Sequence, residues 1–127
     1  MNTENHLAVS LRFEQLLKLE DKWHEGEGKK YDRELLTKFA ALFNLKFDRN
    51  LPQPGIFPKV DGSIQLEWKV EPKNIIAEIE LERLAAKVLC FHDLNDNEES
   101  EIIISLADNQ GWKSFNYYIR NYLTPSL

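Results

Sequence analysis

The stretch Phe57–Leu81 constrains the fold more than any other part of the chain. It contains three extended runs separated by two turn signals, Asp61-Gly62 and Glu71–Asn74. An Asp-Gly pair between alternating segments favours a hairpin, because a tight primed turn needs positive φ, which both residues tolerate. From Ile64 to Glu71 apolar and polar side chains alternate, which is typical of a strand with one face in water. The stretch therefore predicts an antiparallel ribbon.

Two apolar stripes with helical spacing precede this ribbon. The first runs from Leu7 to about Trp23, where a glycine-containing turn ends it. The second begins after an N-cap at Asp32 and ends near Leu45. Residues 1–6 are polar and are predicted to form a disordered tail. A pair of helices is therefore expected before the strands.

A proline-rich connector and two further β-like runs complete the pattern. Residues 48–58 hold three prolines, and Pro58 places the first strand at a sheet edge. Residues 87–92 and 101–106 read as strands on either side of a polar loop, and Asp108 caps a last helix that Pro125 ends. We predict a single α+β domain. It has two N-terminal helices, a five-stranded antiparallel meander sheet and one C-terminal helix, packed as a two-layer sandwich.

Composition narrows the class of protein. A chain of 127 residues with 43% hydrophobic and 29% charged residues is expected to be one globular domain. Its one cysteine, Cys90, excludes an internal disulfide, which agrees with a cytoplasmic location. No apolar run approaches the ~20 residues of a membrane span, and the N-terminus lacks the pattern of a secretory signal. We expect neither membrane insertion nor secretion.

Negative charge is concentrated in the predicted sheet. Residues 51–110 hold 12 acidic and 5 basic side chains, a net charge of −7, whereas the whole chain carries −5. This part of the chain would repel a phosphate backbone, so nucleic-acid binding is disfavoured. It would attract a basic protein partner or a cation.

The turn at Glu71–Asn74 sets the strand register on which the sharpest functional inference depends. A four-residue turn there places Glu67 opposite Glu78 and Gln65 opposite Glu80. Like charges across a sheet are unfavourable, so this cluster would need a cation, a proton or a binding partner. Two other interpretations stay open: a different register, or a face that neighbouring lysines and solvent neutralise.

Other candidate side chains carry weaker signals. His24 could bind a cation with the adjacent glutamates, although a helix-end histidine is the more frequent reading. Cys90 and His92 share a face, but no zinc-binding spacing accompanies them, and a buried structural Cys90 is expected. Tyr117 points away from the apolar seam of the last helix and could mark a docking surface or a dimer contact. No phosphate loop or dinucleotide loop is present, and we expect no metal and no cofactor.

The pattern resembles a group of short bacterial proteins without assigned function, which share a helical front half and a DGxIxLEW hairpin. The residues that carry the resemblance are Trp23-x-x-Gly26-x-Gly28, Asp61-Gly62-x-Ile64-x-Leu66-Glu67-Trp68 and Ile79-Glu80. It covers about residues 16–82. The resemblance brings no activity with it, but it implies that Glu67 and Trp68 belong to a shared arrangement.

Three functional hypotheses follow. The first is a non-enzymatic protein-binding module, antitoxin-like or immunity-like, that docks a basic partner on an acidic sheet face. The second is a metal-dependent or acid/base enzyme that uses Glu67, Glu78 and Glu80. The third is a homodimer that associates through an exposed strand edge or through the last helix.

Overall fold

The structure is a computed structural model that describes residues 3–92 and 95–124, with side chains described for residues 8–92 and 100–124. Eight elements follow one another along these ranges. In chain order they are α1 (Thr3–Leu17), α2 (Arg33–Lys46), β1 (Gly55–Pro58), β2 (Ile64–Val70), β3 (Lys73–Glu80), β4 (Ala85–His92), β5 (Asn95–Ser105) and α3 (Asn109–Leu123). The α+β class and the predicted element order are confirmed.

The five strands form one antiparallel sheet in the order β1-β2-β3-β4-β5. Each strand therefore pairs with its neighbour in sequence, and the predicted meander is confirmed. β1 and β5 are the two edges. Pro58 lies in the edge strand β1, opposite Ile64 of β2. An edge is the place where the missing N–H of proline is tolerated.

One face of the sheet, which we call the core face, is buried. Side chains alternate between the two faces of a strand, so every second residue contributes to it. Its buried residues are Ile56, Ile64, Leu66, Trp68, Ile75, Ala77, Ile79, Ala86, Val88, Cys90 and Ile104. The thiol of Cys90 is fully buried among them, as predicted.

Aromatic residues join the helices to the core face. The Phe13 ring of α1 lies 5.8 Å from that of Phe39 in α2, in an edge-to-face contact. Phe47, the C-cap of α2, lies 5.7 Å from Trp68 of β2, and Phe115 of α3 lies 6.1 Å from the same indole. Burying one such side chain stabilises a fold by about 1.5–3 kcal/mol, so Trp68 is a central anchor between sheet and helices.

The end of the first helix differs from the prediction. α1 ends at Leu17, whereas the apolar pattern predicts a helix to Trp23. Residues 22–28 instead form a small hairpin, in which the amide of Lys22 donates to the carbonyl of Gly28 and His24 and Glu27 exchange backbone hydrogen bonds. A positive φ at Lys22 is incompatible with a continuing helix. Trp23 therefore lies on this turn and not on a helical stripe.

The predicted register between the second and third strands is wrong by two residues. Val70 pairs with Lys73 and Trp68 with Ile75, so the turn contains only Glu71 and Pro72. Lys73 and Asn74, read from sequence as turn residues, belong to β3. A shift of two preserves which side chains face the core, and it changes only the cross-strand neighbours.

The last strand is longer than its apolar part. β5 runs from Asn95 to Ser105, so residues 95–100, predicted as a polar loop, are extended and pair with β4, with register irregularities near Phe91. Residues 93–94 of that loop lie outside the described residues, as do residues 1–2 of the expected tail and Pro125. α1 begins at Thr3, within the segment expected to be a tail. In the described part of the chain, no helix combines the length and the apolar character that crossing a membrane requires.

Candidate functional site

The second face of the sheet, which we call the open face, carries the predicted site residues. Its described side chains alternate with those of the core face and are half-buried or exposed, except that of Asn74, which is buried. Following the register across the strands, one row is Phe57, Gln65, Glu78, Lys87 and Ile103, and the next row is Gly55, Glu67, Ile76, Leu89 and Glu101. Lys69, Asn74 and Phe91 form a third row.

The structure does not set like charges opposite one another on this face. Glu78 lies between Gln65 on one side and Lys87 on the other, and its carboxylate is 3.2 Å from the ammonium of Lys59. Glu80 pairs with Arg83 at 2.8 Å. The predicted contact of Glu67 with Glu78 is wrong because the turn is two residues shorter than expected.

Glu67 differs from the other carboxylates of the open face. It lies between Gly55 and Ile76, neither of which has a polar side chain. Glu78 is its diagonal neighbour, at the roughly 7–8 Å typical of that position. In the described part of the chain, Glu101 is held by Lys87 at 3.1 Å, but no salt bridge is formed by Glu67. Among the open-face carboxylates whose side chains the structure describes, Glu67 is therefore the one whose charge is left to solvent or to a partner.

The centre of the open face is apolar, which the sequence analysis missed. Ile76 and Leu89 are adjacent across β3 and β4, and Phe91 lies one row away. All three are half-buried, and Phe57 and Ile103 are exposed to 43% and 71%. The signal was present in the sequence, because Leu89 and Phe91 alternate with the buried residues of the same strand. It was hidden because β4 reads as a continuous apolar run.

A groove of about 650 Å³ opens beside Glu78 and Glu80, the two glutamates that form salt bridges with Lys59 and Arg83. It lies between the loop before α2, the β1–β2 turn and the β3–β4 turn. Among its lining residues are Lys29, Lys30, Asp61, Glu80 and Arg83. Small-molecule sites of this size are mostly apolar with a few polar groups, whereas the lining of this groove contains several cations and several carboxylates. It does not define a site for a ligand of one charge.

A buried tyrosine fixes the hairpin at the end of the open face. The hydroxyl of Tyr31, which precedes α2, donates to the carbonyl of Ser63 at 2.7 Å and accepts from the amide of Lys59 at 3.0 Å. Burial raises the pKa of Tyr31 above 10.0, and the Lys59 amide opposes this rise. Tyr31 thus ties the helical half of the chain to the β1–β2 connection.

The Asp-Gly turn and the tryptophan that follows it have structural roles. The carboxylate of Asp61 accepts from the Ser63 hydroxyl and amide, and these bonds lower the pKa of Asp61. Gly62 has φ of +90°, as the predicted turn requires. The indole Nε1 of Trp68 donates to the carbonyl of Pro52 at 2.7 Å, so the core tryptophan also holds the proline-rich connector.

Tyr117 is not part of the open face. It is 63% exposed on α3, whose buried residues pack on the opposite side of the sheet. The prediction that it points away from the apolar seam is confirmed. Its neighbour Tyr118 bonds through its hydroxyl to Ser100 at 2.6 Å, and burial raises the pKa of Tyr118.

The candidate cation ligands are dispersed. His24 is held in the backbone turn described above, and its ring lies 5.6 Å from that of Trp23. His92 packs at 6.4 Å against the ring of Tyr122, while Cys90 is buried in the core. Among the side chains of residues 8–92 and 100–124, no group of three histidine, cysteine or acidic residues could hold a metal ion.

Comparison of the chain with family models, with curated proteins and with solved structures finds no match in any of the three.

Proposed function

We propose that the chain is a protein-binding module, a two-layer α+β sandwich whose open face docks a protein partner. The observation that carries the proposal is the apolar centre of that face. Ile76, Leu89 and Phe91 lie on β3 and β4, two of the three inner strands of the sheet. An apolar centre within a polar surround is the usual anatomy of a protein–protein interface.

The charges around this centre define the partner more closely. The carboxylates of Glu78, Glu80 and Glu101 already have cations within 3.2 Å, so they add little net field. Glu67 lies directly beside Ile76 and has no such cation in the described part of the chain. The partner surface we infer presents apolar side chains to Ile76 and Leu89, and a lysine or arginine to Glu67. The antitoxin-like or immunity-like role stays a prediction.

The same arrangement favours binding over carboxylate catalysis. Acid/base work by a carboxylate pair requires two groups that act on one substrate, with one of them held protonated. Here Glu67, Glu78 and Glu80 lie at separate register positions, and two of them are neutralised by neighbouring cations. Their geometry supports a structured surface more than a reaction centre.

The test uses the folded chain as bait in a lysate of the organism that encodes it, with quantitative mass spectrometry. Two variants alter the open face: Ile76→Lys places a charge in the apolar centre, and Glu67→Gln removes the unpaired charge. Leu45→Lys is the matched control, because Leu45 is 73% exposed on α2, away from the sheet. Thermal unfolding of each bait confirms that it is folded.

We expect the wild-type bait and the Leu45→Lys bait to capture the same protein in similar amounts. The amount captured by Ile76→Lys should be at least about tenfold lower, since a desolvated charge costs several kcal/mol in an interface. Glu67→Gln should weaken binding mainly at low salt, because charge attraction is screened. The captured protein is then purified and titrated against the same variants. Equal capture by all baits, or capture of no protein above empty resin, contradicts the proposal.

A further inference from the structure

The β5 edge of the sheet is open to strand pairing. The amide of Leu106 donates to the carbonyl of Leu84, directly opposite, at 2.6 Å. Along a strand of an antiparallel pair, the backbone N–H and C=O groups of one residue bond to the neighbouring strand, and those of the next residue point away from that strand. Glu101 and Ile103 therefore direct their backbone N–H and C=O groups away from β4, out of the sheet edge. Ser105 has the same orientation, but its carbonyl lies against Gly111 of α3.

The opposite edge is blocked. The guanidinium of Arg12, on α1, donates to the carbonyl of Ile56 in β1 at 2.7 Å, so this outward acceptor is occupied. Pro58 in the same strand has no N–H to offer, and β1 is only four residues long. Short edge strands, prolines and covering elements are the usual protection against pairing. β5 is eleven residues long and contains no proline, although Gly111 of α3 lies against the carbonyl of Ser105 at the end of the strand.

We propose that two copies of the chain associate through β5, antiparallel, with Ile103 opposite Ile103 of the second copy. The outward-directed groups of Ile103 then exchange both backbone hydrogen bonds with their counterparts, and the carbonyl of Glu101 faces the amide of Ser105 of the second copy. Ile103 is 71% exposed on the open face and Ile102 is 37% exposed. Pairing covers both side chains, as expected for a self-complementary two-fold contact.

The side-chain pattern of the strand favours this register. Residues opposite each other across the axis are either both outward-directed or both inward-directed, so axes at Ile102 and Ile104 also form an antiparallel ladder. Those axes set the exposed Ile103 opposite Glu101 or Ser105 and not opposite its own copy. Placing the axis at Glu101 sets that carboxylate against its own copy, which is unfavourable. Placing it at Ser105 moves Ile103 opposite Ala107, beyond the end of the strand. The axis at Ile103 pairs apolar with apolar and Glu101 with a neutral serine.

This association goes beyond the proposed function and is independent of it. With the two-fold axis perpendicular to the sheet, the open faces of both copies lie on the same side. The two sheets then form one continuous surface, and each copy keeps its own Ile76 and Glu67 accessible. A partner that binds the open face would meet two equivalent sites.

Disulfide trapping tests the register directly. In the proposed dimer the Cα atoms of position 103 are about 5.5 Å apart, within the roughly 4.4–6.8 Å range that a disulfide spans. Ile103→Cys should therefore form a covalent dimer in oxidised glutathione. Positions 105 lie four residues apart along the strands, about 14 Å, so Ser105→Cys alone should not. Ser105→Cys mixed with Glu101→Cys should crosslink. The native Cys90 is buried and does not compete.

Sedimentation equilibrium tests the association without crosslinking. We expect the wild type to change from monomer to dimer between about 1 μM and about 1 mM, and Ile103→Lys to weaken the dimer at least about tenfold by opposing two ammonium groups. Leu45→Lys is the matched control, since its side chain is equally exposed but remote from β5. Thermal unfolding of each variant monitors folding. A monomer at every concentration, a dimer unaffected by Ile103→Lys, or equally fast crosslinking of Ser105→Cys alone overturns the proposal. Loss of the dimer leaves open-face capture of a partner intact, so the two proposals fail separately.

Discussion

Replacing Tyr31 by phenylalanine should destabilise the fold by a modest amount that depends on pH. Phenylalanine keeps the buried ring, which is 4% exposed, and removes only the hydroxyl. That hydroxyl donates to Ser63 and accepts from the amide of Lys59. The Lys59 amide also donates to the Ser63 carbonyl at 3.2 Å, so neither backbone group is left wholly unpaired. Two hydrogen bonds are lost, but no backbone group is left without a hydrogen-bond partner. We therefore expect the free energy of unfolding to fall by about 1–2 kcal/mol.

The sign of the pH dependence follows from burial. Burial raises the pKa of Tyr31 above 10.0, so the folded chain holds this proton more tightly than the unfolded chain does. The stabilisation is complete below pH 10.0 and declines as pH rises through that value towards the folded pKa, because the unfolded state then binds fewer protons. The variant lacks the group. The difference in free energy of unfolding between the wild type and Tyr31→Phe should be constant around neutral pH and should shrink above pH 10.0.

Urea denaturation of both proteins from neutral pH to about pH 11 measures this difference, and a linear extrapolation supplies each free energy of unfolding. Tyr117→Phe is the control: Tyr117 is 63% exposed, and its variant should stay within about 0.5 kcal/mol of the wild type at every pH. A Tyr31→Phe variant as stable as the wild type at neutral pH, or a deficit that grows with pH, would refute the reasoning.

Two further predictions concern packing, both measured by urea denaturation. Gly28→Ala should lower the free energy of unfolding by about 1–3 kcal/mol, because Gly28 has φ of +100° and the new Cβ would lie 2.5 Å from Nε1 of Trp23. Gly26→Ala is the control: Gly26 has φ of +85° but open space around it, so this variant should lose less stability. Equal losses of stability in the two variants would contradict the clash with Trp23. Trp68→Phe should lower the free energy of unfolding by about 0.5–1.5 kcal/mol more than Trp112→Phe does. Both indoles are 2% exposed, but in the described part of the chain only the N–H of Trp68 has a hydrogen-bond acceptor, the Pro52 carbonyl. A larger loss of stability for Trp112→Phe would count against the role of the Pro52 carbonyl.

Local signals in the sequence were sufficient for the order of elements. Asp61-Gly62 marks a turn because its residues tolerate the backbone geometry that the turn needs, and Gly62 adopts φ of +90°. Asp32 and Asp108 cap helices through their own side chains, each accepting from an amide three residues on. Such features depend on residues close in sequence, and they could be predicted before any tertiary contact is known.

Features set by long-range contacts were predicted less well. Trp23 has the spacing of a helical stripe, but its indole packs over Gly28 in a turn, an arrangement that periodicity does not reveal. The register of β2 and β3 depends on two residues of turn length, and alternation cannot detect a shift of two because it returns every side chain to the same face.

The prediction of the candidate site was the least accurate, because the site depends on long-range contacts. Glu78 and Glu80 were correctly placed on one face, yet their neutralising cations come from other segments, Lys59 from the β1–β2 connection and Arg83 from the β3–β4 turn. The apolar centre at Ile76 and Leu89 became visible only once the two strands were paired. Net charge over a segment was therefore a poor guide to the field at the surface.

The guanidinium of Arg12 on the outer carbonyl of Ile56 has a consequence for stoichiometry. A sheet with two receptive edges can add copies without end and grow into a filament. Here Arg12 and Pro58 close the β1 edge, so in the proposed association through β5 each molecule can pair with one other copy. In that proposed dimer both β5 edges are paired, so we expect assembly to end at two copies and no filament to form.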